Sequence, residues 1–161
     1  MHAYTIALFL LASASWSVAS AQTLRAREDV LGCVLAERLA CGCYIRIKDL
    51  ACPSRAMANE PHLFTGLDGK DPLLLQLGER DIELPHTRHN GSSVKGDKPG
   101  RWTDTYSSKD LSVRVTYAPG KRTCAKPDSE GCEYADYNAT VVLQPRGEPE
   151  RTFKATATCG C

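Results

Sequence analysis

The hydrophobic period changes along the chain, and each change predicts a different element. From Met1 to Leu24 there is no Lys, Arg, Asp or Glu, and Tyr4 to Leu11 form a compact apolar block. Between Gln22 and Leu39 the apolar positions Leu24, Val30, Leu31, Val34, Leu35 and Leu39 approximate a helical stripe. Asp29 lies early in it and Arg38 late, as a helix dipole prefers. Gly32 weakens such a helix by roughly 1 kcal/mol relative to alanine. The pattern predicts a short N-terminal helix, with a strand through Val30 to Ala36 as the alternative.

From Cys41 the period becomes two. Cys41, Cys43, Ile45 and Ile47 share one face, and Tyr44, Arg46 and Lys48 the other. Ala51 to Pro61 is irregular, and Asp68-Gly69 marks a turn. Leu73–Leu77 and Ile82–Leu84 then read as a hairpin. His86 to Arg101 holds Asn90-Gly91, Ser92-Ser93, Gly96, Pro99 and Gly100 with almost no large apolar residue, which predicts a long surface loop.

After Trp102, the residues Leu111, Val113, Val115 and Tyr117 alternate with Ser112, Arg114 and Thr116, the clearest half-buried strand of the chain. Tyr134 to Leu143 is β-rich, and Gly147-Glu148-Pro149 turns the chain into a last strand with Phe153, Ala155, Ala157, Cys159 and Cys161 on one face. About seven short strands at this spacing predict a mainly β fold, a small antiparallel sandwich or barrel.

The ends change the picture of where such a domain works. The apolar block is too short to span a membrane, and Ala19-Ser20-Ala21 supplies a small-x-small cleavage site. We read residues 1–21 as a signal peptide and 22–161 as a single domain, exported to a periplasm or an extracellular space without an integral membrane segment. The formal net charge is +1, so nothing draws the chain globally to nucleic acid or an anionic membrane. A monomer with a protein partner is expected.

Eight cysteines in an exported chain predict a disulfide framework: Cys33, Cys41, Cys43, Cys52, Cys124, Cys132, Cys159 and Cys161. The triplet Cys-Gly-Cys occurs twice, at 41–43 and 159–161. Residues i and i+2 of a strand lie about 6.6 Å apart, near the limit for a bond within one triplet. Directly opposed residues of antiparallel neighbours are only about 4.5–5.5 Å apart. The triplets could therefore pair across strands, Cys41 with Cys161 and Cys43 with Cys159. Cys124 and Cys132 enclose Pro127, Asp128 and Gly131, which favours a bond closing that loop.

Candidate chemistry is thin. Thiol redox or metal handling by the two Cys-Gly-Cys triplets is one alternative, although redox cysteines usually sit at helix starts and oxidation removes the thiolates a metal needs. His86 and His89 of His86-Thr87-Arg88-His89 read as solvated loop side chains. No nucleophile elbow, zincin motif or phosphate-cradling glycine loop is present, so no catalytic residue, metal set or cofactor is assigned. The remaining signal is the long loop, where Arg88, Lys98, Arg101 and Trp102 could present cationic and aromatic anchors to a partner. Against this stands Trp102 as a plug in one end of the barrel. The expected function is a non-enzymatic binding or structural module.

Residues 73–117 combine an apolar hairpin, Leu84-Pro85, a polar stretch, an aromatic residue and an alternating strand. In this they resemble the periplasmic inhibitors of c-type lysozyme, which are small disulfide-bonded β-barrels. That resemblance implies a hydrolase as partner. The chain departs from it at Asn90-Gly91-Ser92-Ser93, where the family has Ser-Gly followed by Tyr, and around Trp102, where it has Trp-x-Lys-Gly.

Overall fold

The computed structural model describes residues 31–34, 41–52, 60–67, 70–78, 80–92, 94–95, 98–121 and 134–160. The signal segment, Cys124, Cys132 and Cys161 lie outside these residues. Eleven strands follow in chain order: β1 (Gly42–Ile47), β2 (Leu63–Gly66), β3 (Leu73–Leu77), β4 (Arg80–Leu84), β5 (His86–Gly91), β6 (Val94–Lys95), β7 (Lys98–Pro99), β8 (Trp102–Ser107), β9 (Leu111–Pro119), β10 (Tyr134–Pro145) and β11 (Arg151–Gly160). No helix occurs among the described residues. Of the segment predicted to be helical, residues 31–34 run extended instead. Leu31 bridges Leu77, Gly32 N–H donates to the Gln76 carbonyl and Val34 N–H to that of Pro61. Burying Leu31, Cys33 and Val34 together favours this over a helix.

Nine strands form one antiparallel sheet in the order β4-β3-β2-β1-β11-β10-β9-β8-β5. The two edge strands, β4 and β5, are consecutive in the chain and separated only by Pro85. The sheet therefore curls until its edges share one corner, a nearly closed barrel. Pro85 has no N–H to give either edge, but its carbonyl accepts from Ser107 N–H at 3.1 Å and ties the corner to β8. Across the interior, Tyr106 on β8 donates its hydroxyl hydrogen to Thr65 Oγ1 on β2 at 3.1 Å.

Strict alternation fills the barrel. Ile45, Leu63, Leu73, Leu75, Val113, Val115, Tyr117 and Val141 are all essentially sealed from solvent. Size alternates across strands as well. Ala157 faces Tyr137 on one side and Ile45 on the other, and Ala139 faces Tyr117. The alanines of β10 and β11 leave the volume that the tyrosines occupy, so the interior packs as a filled core.

Two disulfides between described residues fasten this frame. Cys43–Cys159 joins directly opposed positions of β1 and β11, the cross-strand pairing that alternation allows. It spans 116 residues, and closing a loop of that length contributes about 5 kcal/mol in the chain-entropy model. Cys33–Cys52, 19 residues apart, clips the extended N-terminal segment to the barrel and adds about 3 kcal/mol on the same account. Cys41 is disulfide-bonded too, and no described cysteine is free. The bonds fit an oxidising, non-cytoplasmic compartment. Among the described residues no helix is long and apolar enough to cross a membrane.

The stretch from His86 to Trp102 is not the loop its composition predicts. Its described residues are largely strands: β5 pairs with β8, and β6 with β7. Cross-strand hydrogen bonding supplies the order that apolar content does not.

Candidate functional site

Alternation along β8 turns Trp102, Asp104 and Tyr106 inward, placing a carboxylate in an apolar lining. The Asp104 side chain is only 7% exposed. A carboxylate so buried must be paired or hydrogen-bonded, because desolvating it uncompensated costs several kcal/mol. Trp102 Nε1–H donates to Oδ2 at 2.9 Å. The other oxygen, Oδ1, faces two imidazoles, with His89 Nδ1 at 2.7 Å and His86 Nε2 at 3.3 Å.

A bulge makes this convergence geometrically feasible. His86 and His89 are three residues apart, and in a regular strand they would point to opposite faces. The register shifts between His86 and Arg88: His86 pairs with Tyr106 and Arg88 with Thr105, leaving Thr87 as an extra residue. That insertion returns both rings to the face of Asp104. Thr87 itself donates its hydroxyl hydrogen to the Thr105 carbonyl at 3.0 Å.

The surroundings fix each member. The His86 ring meets Tyr106 edge-on at 5.3 Å, and the Trp102 ring stacks on Tyr117 at 4.4 Å while Tyr137 meets its edge at 4.7 Å. The His89 ring holds its second nitrogen, Nε2, 3.0 Å from the Gly91 carbonyl oxygen. Gly91 has φ of 99°, and a Cβ there would sit 2.5 Å from the Arg101 carbonyl oxygen, so only glycine fits this position. Exposure rises across the cluster, from 13% for the His86 side chain to 46% for His89. The site thus opens to solvent at the sheet edge.

Behind it, the aromatic hydroxyls are held protonated. Burial, together with the negative charge of Asp104, raises the pKa of Tyr106 well above the ordinary phenol value. Burial raises that of Tyr117 also, and Tyr137 is raised by burial alone. The hydroxyl of Tyr117 is fully buried and has no hydrogen-bond partner among the described residues.

A third histidine lies against the Cys33–Cys52 bond. His62 is 3% exposed, and a ring nitrogen of it lies within 4.8 Å of both sulfurs. Its Nδ1 accepts from Ile47 N–H at 3.2 Å, and Nε2 has no partner among the described residues. Burial pushes its pKa below the ordinary imidazole value, helped by the Arg46 charge and opposed by the Leu50 carbonyl. The sulfurs are bonded to each other and offer no thiolate.

The residues singled out in the sequence separate in space. Arg88 lies exposed on β5 and Arg101 exposed just before β8, while Lys98 occupies β7. Trp102 is buried at 8% exposure on the inward face of β8. Cys43 and Cys159 are bonded to each other across β1 and β11. The residue missed was Asp104, and the available signal was Trp102-x-Asp104-x-Tyr106, an acid at an inward position of an alternating strand. Compared with protein-family models, with curated proteins and with solved structures, the chain matches none.

Proposed function

We propose that the chain is an exported, non-enzymatic binding module that acts as a monomer and recognises a protein partner through the hairpin arm from β5 to β8. One observation carries this reading. β6 and β7 lie outside the nine-stranded sheet and pair only with each other among the described residues. A two-stranded ribbon is marginally stable in water alone, and a partner surface would complete it.

The side chains agree with that use. Thr87 to Ser92 are all exposed, and Arg88 and Arg101 offer planar guanidinium groups of the kind enriched in recognition surfaces. The barrel interior is filled by its own side chains, so recognition falls to the outside. The resemblance of residues 73–117 to lysozyme inhibitors makes a c-type lysozyme the first partner to try.

Photo-crosslinking residues placed at Arg88, at Arg101 and, as a control, at Lys154 on β11 test the proposal in cells that export the protein. Discrete adducts of one partner are expected at the first two positions and none at the third. Absence of adducts at Arg88 and Arg101, or an identical pattern at Lys154, overturns the recognition arm. The exported form is expected to begin at Gln22; an intact mass that retains residues 1–21 removes the export half of the reading.

A further inference from the structure

We propose that His86, His89 and Asp104 bind one divalent transition-metal ion of the zinc type. One donor atom from each residue lies within 4.8 Å of the other two, and Asp104 Oδ1 is the point on which both imidazoles converge.

His89 is the central ligand. Its Nε2 lies 3.0 Å from the Gly91 carbonyl, which can only accept, so the tautomer with its hydrogen on Nε2 donates there. That tautomer turns the Nδ1 lone pair toward a carboxylate oxygen 2.7 Å away. A metal ion between these two acceptors satisfies both and recruits a third donor, His86, already aimed at the same oxygen.

The two separations that meet at Oδ1 lie near those of a bound ion, and the two ring nitrogens are within 4.8 Å of each other. Donors bound at about 2.0–2.1 Å to a tetrahedral zinc stand about 3.3 Å from one another. His86 Nε2 lies 3.3 Å from Oδ1. His89 has to open by about half an ångström to reach that spacing, and a half-exposed ring can do so. Two nitrogens and one carboxylate oxygen form a borderline donor set that favours zinc and its neighbours, whereas calcium and magnesium call for more oxygen ligands.

The outer contacts fit as well. A metal-binding histidine commonly donates its remaining N–H to a carbonyl, and a ligating carboxylate is itself hydrogen-bonded. Gly91 does the first for His89, and Trp102 does the second for Asp104 through Oδ2. Three protein ligands leave one coordination position open, on the side where His89 meets solvent. An ion there would tie the edge strand β5 to β8 at the base of the hairpin arm.

The test uses the disulfide-intact exported protein, stripped with a chelator and titrated with Zn2+ alone by calorimetry. Co2+ then serves as a spectroscopic probe of tetrahedral coordination. One equivalent of Zn2+ is expected to bind and to raise the melting temperature. His89→Gln, at an exposed position that does not support the core, is expected to weaken binding on the order of 100-fold. Asp104→Asn is expected to do the same, and His62→Gln to bind as the parent does. A parent that binds no stoichiometric Zn2+, or a His89→Gln variant that folds and binds with undiminished affinity, overturns the site. The cluster is then a hydrogen-bonded histidine–carboxylate group only.

Discussion

The two histidine environments of this barrel solve the same problem in opposite ways. At the β5–β8 edge, His86 and His89 surround a buried carboxylate whose two oxygens both have polar partners, and exposure grows outward to 46%. On β2's side of the barrel, His62 is sealed against a disulfide with one nitrogen unpartnered among the described residues. The first arrangement sets its rings against an anion. The second has none and excludes positive charge, because burial without a counter-charge favours the neutral ring. Residue type alone therefore says little about a histidine, and the decisive variable is whether an anion shares its burial.

The sharpest way to break this contrast is to remove the anion. Asp104→Ala leaves Trp102 Nε1–H and both imidazoles without their common acceptor and opens a void in the lining. We expect a loss of about 3 kcal/mol in urea unfolding, below the full figure for a buried pair because His89 is half in solvent. A loss under about 1 kcal/mol means that the carboxylate does not organise the edge.

Next in size is the pH response of His62. Its folded pKa lies below the ordinary 6.5, so between those two values the unfolded chain binds a proton that the folded chain refuses. The contribution is complete above 6.5 and is lost as the pH falls below that value toward the folded pKa. The slope reaches at most about 1.4 kcal/mol per pH unit. Chemical unfolding of the parent and of His62→Gln from neutral pH downward should show this segment of the decline in the parent only. Parallel curves refute it.

The smallest effect calibrates the others. Glu150 pairs with Arg114 at 3.7 Å, with both side chains about half exposed. Glu150→Gln should change stability by less than about 0.5 kcal/mol. A larger change would mean that exposed charges also matter here, and the emphasis on burial would need revision.

Much of the barrel is legible in the chain. Leu111-Ser-Val-Arg-Val-Thr-Tyr alternates so regularly that β9 and its inward face follow from period two alone, and the same holds for β1 and β11. The Cys43–Cys159 bond is one of the pairings that two Cys-x-Cys strands and the short spacing of opposed residues allow. The arm is different. His86 to Arg101 has the composition of a loop, and its strands exist because backbone groups of β5 find those of β8, a partnership invisible to hydrophobic patterning. β2 escapes for a related reason: four residues are too few to show a period.

The candidate site lies at the limit of what sequence can specify. The residues themselves determine that this is a cysteine-rich, alternating β chain with a near-neutral charge, because period, composition and cysteine spacing are local properties. Only the tertiary structure decided that β4 and β5 meet at one corner and that Trp102 turns inward. It also brought Asp104 to two histidines that strict alternation would have sent to opposite faces. The physical reason is the single extra residue at Thr87: a bulge reverses the facing of everything beyond it, and whether a bulge forms depends on the register of the partner strand.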